Sequence, residues 1–364
     1  MIRQNEYRKA LVLIVVVYII ASLSMLAFAL AFRSRIAIKE ASLLIERLQQ
    51  DQLALAACTQ ARSILAVDDQ NVDYLAEPWS GQHKLIPAEV ADQPIYRDDT
   101  PWEVNWKLVD ESAKINVNLA SVDLLLGLES LDEAAAASIL DWIDQDDIPN
   151  PDGAENNYYS SLESAYNCKN GPIDSMEELL LIKGISPQIY YGFDLDGKIT
   201  NLTETGAETA KFTNGDSQNG PVVLYDLLTI YGNGRININT ASRHVLDAIP
   251  LLSDAAVSEI VSTQQSVTKR FSSIADIQNS DSFTTADKLL LTQLAKFNSN
   301  HFQLLISIRK KGNSFWCKYV ATIERQGKNT RVLSWQRKSR TILKDITHFT
   351  VNDNESVHSQ GLKQ

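Results

Sequence analysis

Six carboxylates crowd one short stretch of the chain, "DWIDQDDIPNPDGAENNYY", before any basic side chain appears. They are Asp141, Asp144, Asp146, Asp147, Asp152 and Glu155, the last two lying beyond a turn that contains Pro and Gly. Like charges about 5 Å apart repel each other by roughly 1–3 kcal/mol per pair at the effective dielectrics found near a protein surface. The stretch is therefore either spread out in solvent or neutralised by a bound cation.

Calcium suits this stretch best, because it takes six to eight oxygens at flexible distances. Magnesium demands stricter octahedral geometry, and Ile148 breaks the alternation that an EF-hand loop would need. A helix end followed by a loop supplies the required oxygens within a few residues. We predict a structural Ca²⁺ whose ligands are Asp144, Asp146, Asp147, Asp152 and Glu155. Asp141 is assigned to the preceding helix, and the alternative is a solvated acidic loop.

The N-terminal part of the chain, which precedes the domain that contains this loop, is predicted to be a membrane anchor. Residues 10–32 contain no charged side chain, and as a helix they would span about 35 Å, enough to cross a hydrocarbon core of roughly 30 Å. Apolar residues continue at helical spacing beyond Arg33, without Gly or Pro, which predicts one continuous helix from about Ala10 to Leu65. The short segment before the span is expected in the cytoplasm and the remainder outside it.

Strand signals flank a helical region. Trp102, Val104, Trp106 and Leu108 alternate with polar residues, which predicts a half-buried strand, and residues 301–338 predict three strands joined by turns near Gly312 and Gly327. The predicted class is α+β, with a long N-terminal helix packed on a small antiparallel sheet and a mostly helical insertion. The predicted segments are a leader (1–9), the transmembrane and amphipathic helix (10–66), the first part of the β domain (67–115), the helical insertion (116–298), the last part of the β domain (299–345) and a disordered tail (346–364).

The helical insertion contains a repeat. Residues 114–140 align without gaps on residues 235–261, with ten of 27 positions identical. Each copy predicts a helix–hairpin–helix unit, with Asn118 or Asn239 at the first N-cap and Asp132 or Ser253 at the second. A later capping box is predicted in each half, at Asp174 with Glu177 and, more weakly, within residues 271–278.

Charge and composition exclude several classes of function. The net charge of −11 opposes nucleic-acid binding, and the hairpins of both repeats lack the glycine pair that lets backbone N–H groups approach a phosphate. The three cysteines form no CxxC motif, so they cannot build a zinc site. No P-loop, GxSxG, HExxH or dinucleotide fingerprint occurs, and we do not expect an enzyme.

Four segments in this order resemble one family, the minor pseudopilin K proteins of type II secretion systems. They are "DESAKINVN", the acidic stretch, "NGPIDSMEELLLIKGIS" and "LTIYGNGRININTAS". The resemblance covers about residues 8–345. Two positions are informative: Lys9 stands where the family's leader usually ends in Gly, and Ile14 stands where most pilins have Glu but the K member does not.

The resemblance implies a calcium-binding subunit that caps and initiates the pseudopilus tip and supports protein export across the outer membrane. It implies a single-pass inner-membrane protein with its C-terminal domain in the periplasm. The implied partners are the I and J minor pseudopilins and the inner-membrane secretion platform. The alternative hypothesis is a membrane-anchored helix–hairpin–helix DNA receptor of a competence-like system, which should be basic near its hairpins.

Overall fold

The structure is a computed structural model that describes residues 2–85, 89–90, 93–94, 101–192, 223–266, 268–312 and 316–338. The chain divides into two compact units, Met1–Leu55 and Ala56–Gln364. The tail predicted at 346–364 lies outside the described residues, so its predicted disorder stays a prediction.

The described helices and strands follow one another in an α+β order. The α-helices are α1 (Ile2–Val67), α2 (Val122–Leu126), α3 (Glu133–Ile143), α4 (Asn156–Ser160), α5 (Pro187–Tyr191), α6 (Leu224–Leu227), α7 (Arg243–Asp247), α8 (Asp254–Gln264), α9 (Ile274–Gln278) and α10 (Thr285–Leu294), with 3₁₀ turns at Glu111–Ala113, Val117–Leu119 and Met176–Leu181. The strands are β1 (Gln82–Lys84), β2 (Glu89–Val90), β3 (Gln93–Pro94), β4 (Trp102–Asp110), β5 (Ile115–Asn116), β6 (Leu228–Thr229), β7 (Ile236–Asn237), β8 (Ala295–Lys296), β9 (His301–Lys310), β10 (Cys317–Gln326) and β11 (Asn329–Lys338).

The N-terminal helix α1 is continuous, as its unbroken helical periodicity predicts. Among the described residues, it provides the one helix that is long and apolar enough to cross a membrane. Large apolar side chains from Leu13 to Phe32 are exposed, which is expected of a segment whose natural solvent is lipid. This helix is therefore suited to anchor the chain in a membrane.

A five-stranded antiparallel sheet has the order β1-β4-β9-β10-β11. Along β4 buried residues alternate strictly with half-buried ones, which confirms the strand predicted from the period of two. The turn between β10 and β11 places Gly327 at φ 63, a conformation that glycine adopts without steric cost. At the end of α1, the Arg62 guanidinium donates to the hydroxyl and carbonyl oxygens of Thr330 in β11.

The helical region between β4 and β9 consists of two similar halves. Each half begins and ends with a two-residue strand, and these two strands pair in parallel: β5 with β6, and β7 with β8. The pairing joins residues more than 50 positions apart, such as Ile236 and Ala295, and so closes each half on itself. Apolar residues of both halves form one continuous buried cluster.

The two repeat asparagines fasten chain segments and do not cap helices. The N-caps of α2 and α7 are Ser121 and Ser242, so the N-cap predictions for Asn118 and Asn239 are wrong. The Asn118 amide instead donates to the carbonyl of Ile173 and accepts from its N–H, and Asn239 does the same with Phe271.

The remaining cap predictions have mixed outcomes. Asp132 and Ser253 cap α3 and α8 as predicted, and Ser273 with Asp276 forms a capping box at α9. The box predicted at Asp174 and Glu177 is displaced by one residue, to Ser175 and Glu178. Ser175 is the residue with the extended N-cap conformation, and Glu178, three residues later, accepts from its N–H, while Asp174 lies one position before the cap and pairs with the Lys169 ammonium at 2.7 Å.

Replacing Asn239 with Ala should destabilise the fold by about 2 kcal/mol, because it leaves the buried N–H and C=O of Phe271 without partners. Urea unfolding of the full chain in detergent measures the change. Asn233→Ala is the matched control, since Asn233 is exposed and its side chain accepts from the nearby N–H of Arg235, its one hydrogen bond within the described part of the chain. Equal losses for the two variants would contradict the fastening role.

A buried polar network connects the helical region to the sheet. The Asp110 carboxylate at the end of β4 accepts hydrogen bonds from the Asn237 amide at 3.1 Å, the Thr240 hydroxyl at 2.6 Å and the Ser299 hydroxyl at 2.5 Å. All four residues are buried. The second half of the helical region is thus held against the sheet by satisfied polar contacts.

Candidate metal centre

The acidic stretch begins at the end of helix α3 and reaches the start of α4. Trp142 packs into the core, with its ring edge-on to Tyr159 at 5.1 Å, and this packing fixes the last turn of α3. Asp144 is the C-cap residue of α3, and Glu155 occupies the N-cap position of α4 without capping it through its side chain. The two helix ends therefore carry carboxylates toward each other.

Three of these carboxylates converge. One oxygen of each of Asp141, Asp144 and Glu155 lies within 4.8 Å of the others. Asp141 is completely buried and Glu155 is 3% exposed. Buried oxygens without a hydrogen-bond partner among the described residues include Oδ2 of Asp141, Oδ1 of Asp144 and both Oε atoms of Glu155. The weakly donating Cys168 thiol lies beside Glu155 and lowers its pKa slightly, but no stronger donor serves these four oxygens among the described residues. Buried carboxylate oxygens with so few donors favour a cation site.

The electrostatics of the cluster agree with its geometry. Burial, together with the negative charges of Asp141 and Asp144, raises the pKa of Glu155 to about 7. The pKa of Asp144 is also raised, by burial and by the charges of Asp146 and Asp141. Both shifts arise because the ionised forms lie in a site that offers them no compensating positive charge.

The loop between the helices is built around Asp141. Oδ1 of Asp141 accepts from the backbone N–H of Asn150 at 3.0 Å and from its side-chain amide at 2.5 Å. A Cβ at Gly153 would collide with the Asp141 carboxylate, so only glycine allows the backbone to pass this close. One oxygen of Asp141 therefore organises the loop, while the other lies against Gly153 and has no hydrogen-bond partner among the described residues.

The structure divides the predicted ligands into two groups. Asp144 and Glu155 lie in the cluster, whereas Asp146, Asp147 and Asp152 are exposed. Asp146 accepts from the N–H of Ile148, and Asp147 accepts from the Asn170 amide. The structure also brings Asp141 into the cluster, although the sequence interpretation assigned it to the helix. Its spacing from Asp144, one helical turn, is the signal that could have identified it.

These residues fit a hard divalent cation. Carboxylate oxygens are the preferred ligands of calcium, which completes its shell with backbone carbonyls and water. The ligands that would hold the ion are Asp141, Asp144 and Glu155, and the ion would supply the positive charge that the unpartnered oxygens lack. Its chemistry there is structural, because it would join the end of α3 to the start of α4.

A second group of carboxylates has hydrogen-bond donors from an arginine and a tryptophan. Asp68, Asp73 and Glu77 also bring one oxygen each within 4.8 Å. However, the Arg325 guanidinium donates to both aspartates, and Glu77 accepts from the indole N–H of Trp79 at 2.7 Å. Burial raises the pKa of Asp73 to about 7 even beside Arg325, so the shifts in pKa do not separate the two groups. The Asp141 cluster is the better candidate because its buried oxygens lack the hydrogen-bond donors that serve the second group.

Calcium affinity should weaken as the pH falls below about 7, because a proton then competes for Glu155. The dissociation constant should rise by up to about tenfold per pH unit from pH 7 to 5.

In the metal-free chain, Glu155 should make the fold more stable at low pH than at high pH. Because the pKa of Glu155 is raised in the folded state, its contribution to the unfolding free energy is present below about pH 4.5 and is lost as the pH rises through about 7.

Calorimetric calcium titrations at several pH values, and urea unfolding with chelator present, measure the two trends. Glu155→Gln is the control that should remove most of both pH dependences and leave the part that comes from Asp144. An affinity that does not change between pH 7 and 5 would contradict the assignment of Glu155.

Comparison with known proteins identifies relatives of this chain. Residues 107–192, which include the acidic cluster, match the family model "Type II secretion system (T2SS), protein K". The type II secretion system protein K of Klebsiella pneumoniae is 29% identical over 200 residues, which are 51% of this chain and 61% of that protein. The protein K of Pectobacterium carotovorum subsp. carotovorum is 25% identical over 192 residues, or 49% of this chain and 58% of the relative.

The matches thus span about three fifths of the length of these curated relatives. The fold also resembles a solved chain from the GspK-GspI-GspJ complex of the enterotoxigenic Escherichia coli type 2 secretion system. The TM-score is 0.58 at 18% identity, covering 81% of this chain and 98% of that one. One segment of the chain thus matches the protein K family model, about half of the chain is similar to two protein K relatives, and the fold is similar to that of a chain from a GspK-GspI-GspJ complex.

Proposed function

We propose that this protein is a minor pseudopilin that caps and initiates the pseudopilus tip of a type II secretion system and supports protein export across the outer membrane. The observation that carries the proposal is the combination, in one chain, of an apolar N-terminal helix with the protein K segment at 107–192. The helix anchors the chain as a single-pass protein of the inner membrane, and the region beyond it lies in the periplasm.

The proposed partners are the I and J minor pseudopilins and the inner-membrane secretion platform. The structural neighbour was solved in a complex named for K, I and J proteins, and that complex supports this choice. The role is structural and not catalytic. Neither the comparisons nor the charge near the hairpins favours the DNA receptor, since the first repeat carries Glu129, Asp132 and Glu133 where a receptor should be basic.

The organisation of the chain is part of the same proposal. The boundaries at 9, 66, 115, 298 and 345 divide it into leader, helix, β domain, helical insertion, returning β domain and tail. The pairs α2–α3 and α7–α8 are proposed to be helix–hairpin–helix units, supported by the matching second caps at Asp132 and Ser253. They serve as packing modules, because their apolar faces are buried in the common cluster.

We further propose that the metal centre binds Ca²⁺ as a structural ion. Asp144 and Glu155 are retained from the predicted ligands and Asp141 joins them. Asp146, Asp147 and Asp152 would reach the ion only through water or after rearrangement of the loop. We expect a dissociation constant of about 10⁻⁴–10⁻³ M, as is common for extracellular calcium-binding modules.

Co-purification tests the assembly role. The tagged full chain, extracted in detergent, should retain the I and J pseudopilins of its own organism, and deletion of its gene should abolish secretion. A variant with Leu26→Arg in the apolar span is the control, because a charge there should prevent anchoring. Intact secretion after deletion would refute the proposal, and duplex DNA binding in a low-salt gel shift would revive the receptor.

A further inference from the structure

A lysine lies against the outer side of the acidic loop. The Lys183 ammonium donates to the backbone carbonyls of Asp152 at 2.9 Å and of Gly153 at 3.1 Å. It also lies over the ring of Tyr158, 5.3 Å from the centroid. These carbonyls come immediately before Ala154 and Glu155 in the chain, so Lys183 holds the turn that leads into the cluster.

The core determines where Lys183 stands. Its backbone N–H donates to the hydroxyl of the buried Tyr159 at 3.3 Å. The next residue, Gly184, has φ +87, and a Cβ there would come within 2.9 Å of the Ala135 Cβ in α3. Glycine thus allows this segment to pack directly on the helix that carries Asp141. The backbone position of Lys183 is therefore fixed by Tyr159 and by α3, and not by the acidic loop that its side chain contacts.

Without Lys183, the Asp152–Gly153 turn should move away from the cluster. Asp152 adopts φ 61, in the left-handed region, which costs Asp less than most non-glycine residues but more than glycine. Gly153 passes against the carboxylate of Asp141, and Glu155 faces two further carboxylates. Backbone strain and like-charge repulsion both favour moving the turn away from the cluster. The contacts of Lys183 with two carbonyls oppose this movement.

We propose that Lys183 is a positioning residue for the cation site, holding the Asp152–Gly153 turn so that Glu155 faces Asp141 and Asp144 before the ion binds. This inference rests on the proposed calcium site. Lys183 bonds to carbonyl oxygens and leaves the carboxylates of the cluster free for the ion. A lysine that paired with the carboxylates would compete with the cation, whereas this one preorganises its ligands.

The direction in which calcium affinity changes when Lys183 is replaced distinguishes a positioning role from a simple effect of its charge. Removing a positive charge near an acidic site should strengthen the binding of a divalent cation. Removing a positioning residue should weaken it, in spite of the charge. Lys169 provides the matched comparison. It is also half-buried in this half of the helical region, but it pairs with Asp174 and Glu178, both at 2.7 Å.

Calorimetric titration of the full chain in detergent with CaCl₂ tests the inference. Lys183→Met should weaken calcium binding by about tenfold, a typical loss when an outer-shell partner of a metal site is removed. Lys169→Met should leave the affinity unchanged or raise it. Lys183→Arg, which can still donate to both carbonyls, should recover most of the affinity.

Two outcomes would overturn the inference, and they are distinguishable. Binding by Lys183→Met that is as tight as wild type or tighter refutes positioning while the calcium site stands. No binding by wild type refutes the calcium site itself, and the role of Lys183 with it. Thermal melts at saturating calcium confirm that each variant folds. Lys183→Gln, which keeps one donor group, replaces Lys183→Met if the latter does not fold, and its expected loss of affinity is smaller but in the same direction.

Discussion

Removing calcium with a chelator is expected to lower the melting temperature of the full chain in detergent. The ion would neutralise the Asp141, Asp144 and Glu155 cluster, in which several buried oxygens, including Oδ2 of Asp141, lack a hydrogen-bond partner among the described residues. A ligand that binds only the folded state at a hundredfold excess over its dissociation constant stabilises that state by about 2.7 kcal/mol. Thermal unfolding followed by circular dichroism, with calcium and with chelator, measures the shift.

Two double variants provide the controls for this melt. Asp144→Asn with Glu155→Gln should make the melting temperature insensitive to chelator, because two of the three clustered charges are gone. Asp146→Asn with Asp152→Asn changes the same net charge at exposed positions and should leave most of the calcium effect in place. Wild-type melts that coincide with and without chelator would rule out the calcium site.

Replacing Arg325 with Met is expected to destabilise the fold by about 3–5 kcal/mol, because it leaves buried carboxylates without their counter-charge. Arg325 in β10 is almost fully buried. Its guanidinium donates to Asp68 at 2.9 Å, to Asp73 at 2.7 Å and to the carbonyl of Ser299 at 2.7 Å. Urea unfolding of the full chain measures the loss.

Arg331→Met is the matched control. Arg331 lies in the adjacent strand and pairs with Glu324 at 2.8 Å, but its side chain is 71% exposed. An exposed pair contributes about 0–1 kcal/mol, so this variant should change little. Adding Asp73→Asn to Arg325→Met should recover part of the loss, since it removes one uncompensated charge. Equal destabilisation by the two arginine variants would contradict the buried-pair interpretation.

Burial also explains why the sequence alone does not show which carboxylates of the acidic stretch converge. Asp141 lies beside Trp142 on a helix whose apolar residues were recognised, yet nothing local shows that its carboxylate is buried and faces Glu155. That arrangement depends on Asn150 and Gly153 folding back against it. Conversely, Asp146 and Asp152 are aspartates of the same acidic stretch as Asp141, but the loop leaves both of them exposed to solvent.

In the repeat, too, the sequence predicts one feature correctly and another depends on tertiary packing. Alignment of the two halves identified Asn118 and Asn239 as equivalent, which the structure confirms through their matching contacts with Ile173 and Phe271. Their role as caps was wrong, because the partners are 55 and 32 positions away. A capping motif can be read within four residues, whereas a contact between distant segments depends on how the helices pack.

The sequence by itself determined the apolar anchor, the strand at 102–110, the three C-terminal strands and the presence of an unusually acidic bend. These features depend on periodicity and composition within windows of about 5–25 residues, which the chain carries locally. Only the tertiary structure decided which carboxylates meet, that the two halves close through parallel strand pairs, and that Lys183 reaches the acidic loop. The strand pairs and the Lys183 contact join residues far apart in the chain, and their proximity follows from the packing of the whole domain. The three carboxylates are closer in sequence, but they meet only because the loop between them folds back through Asn150 and Gly153.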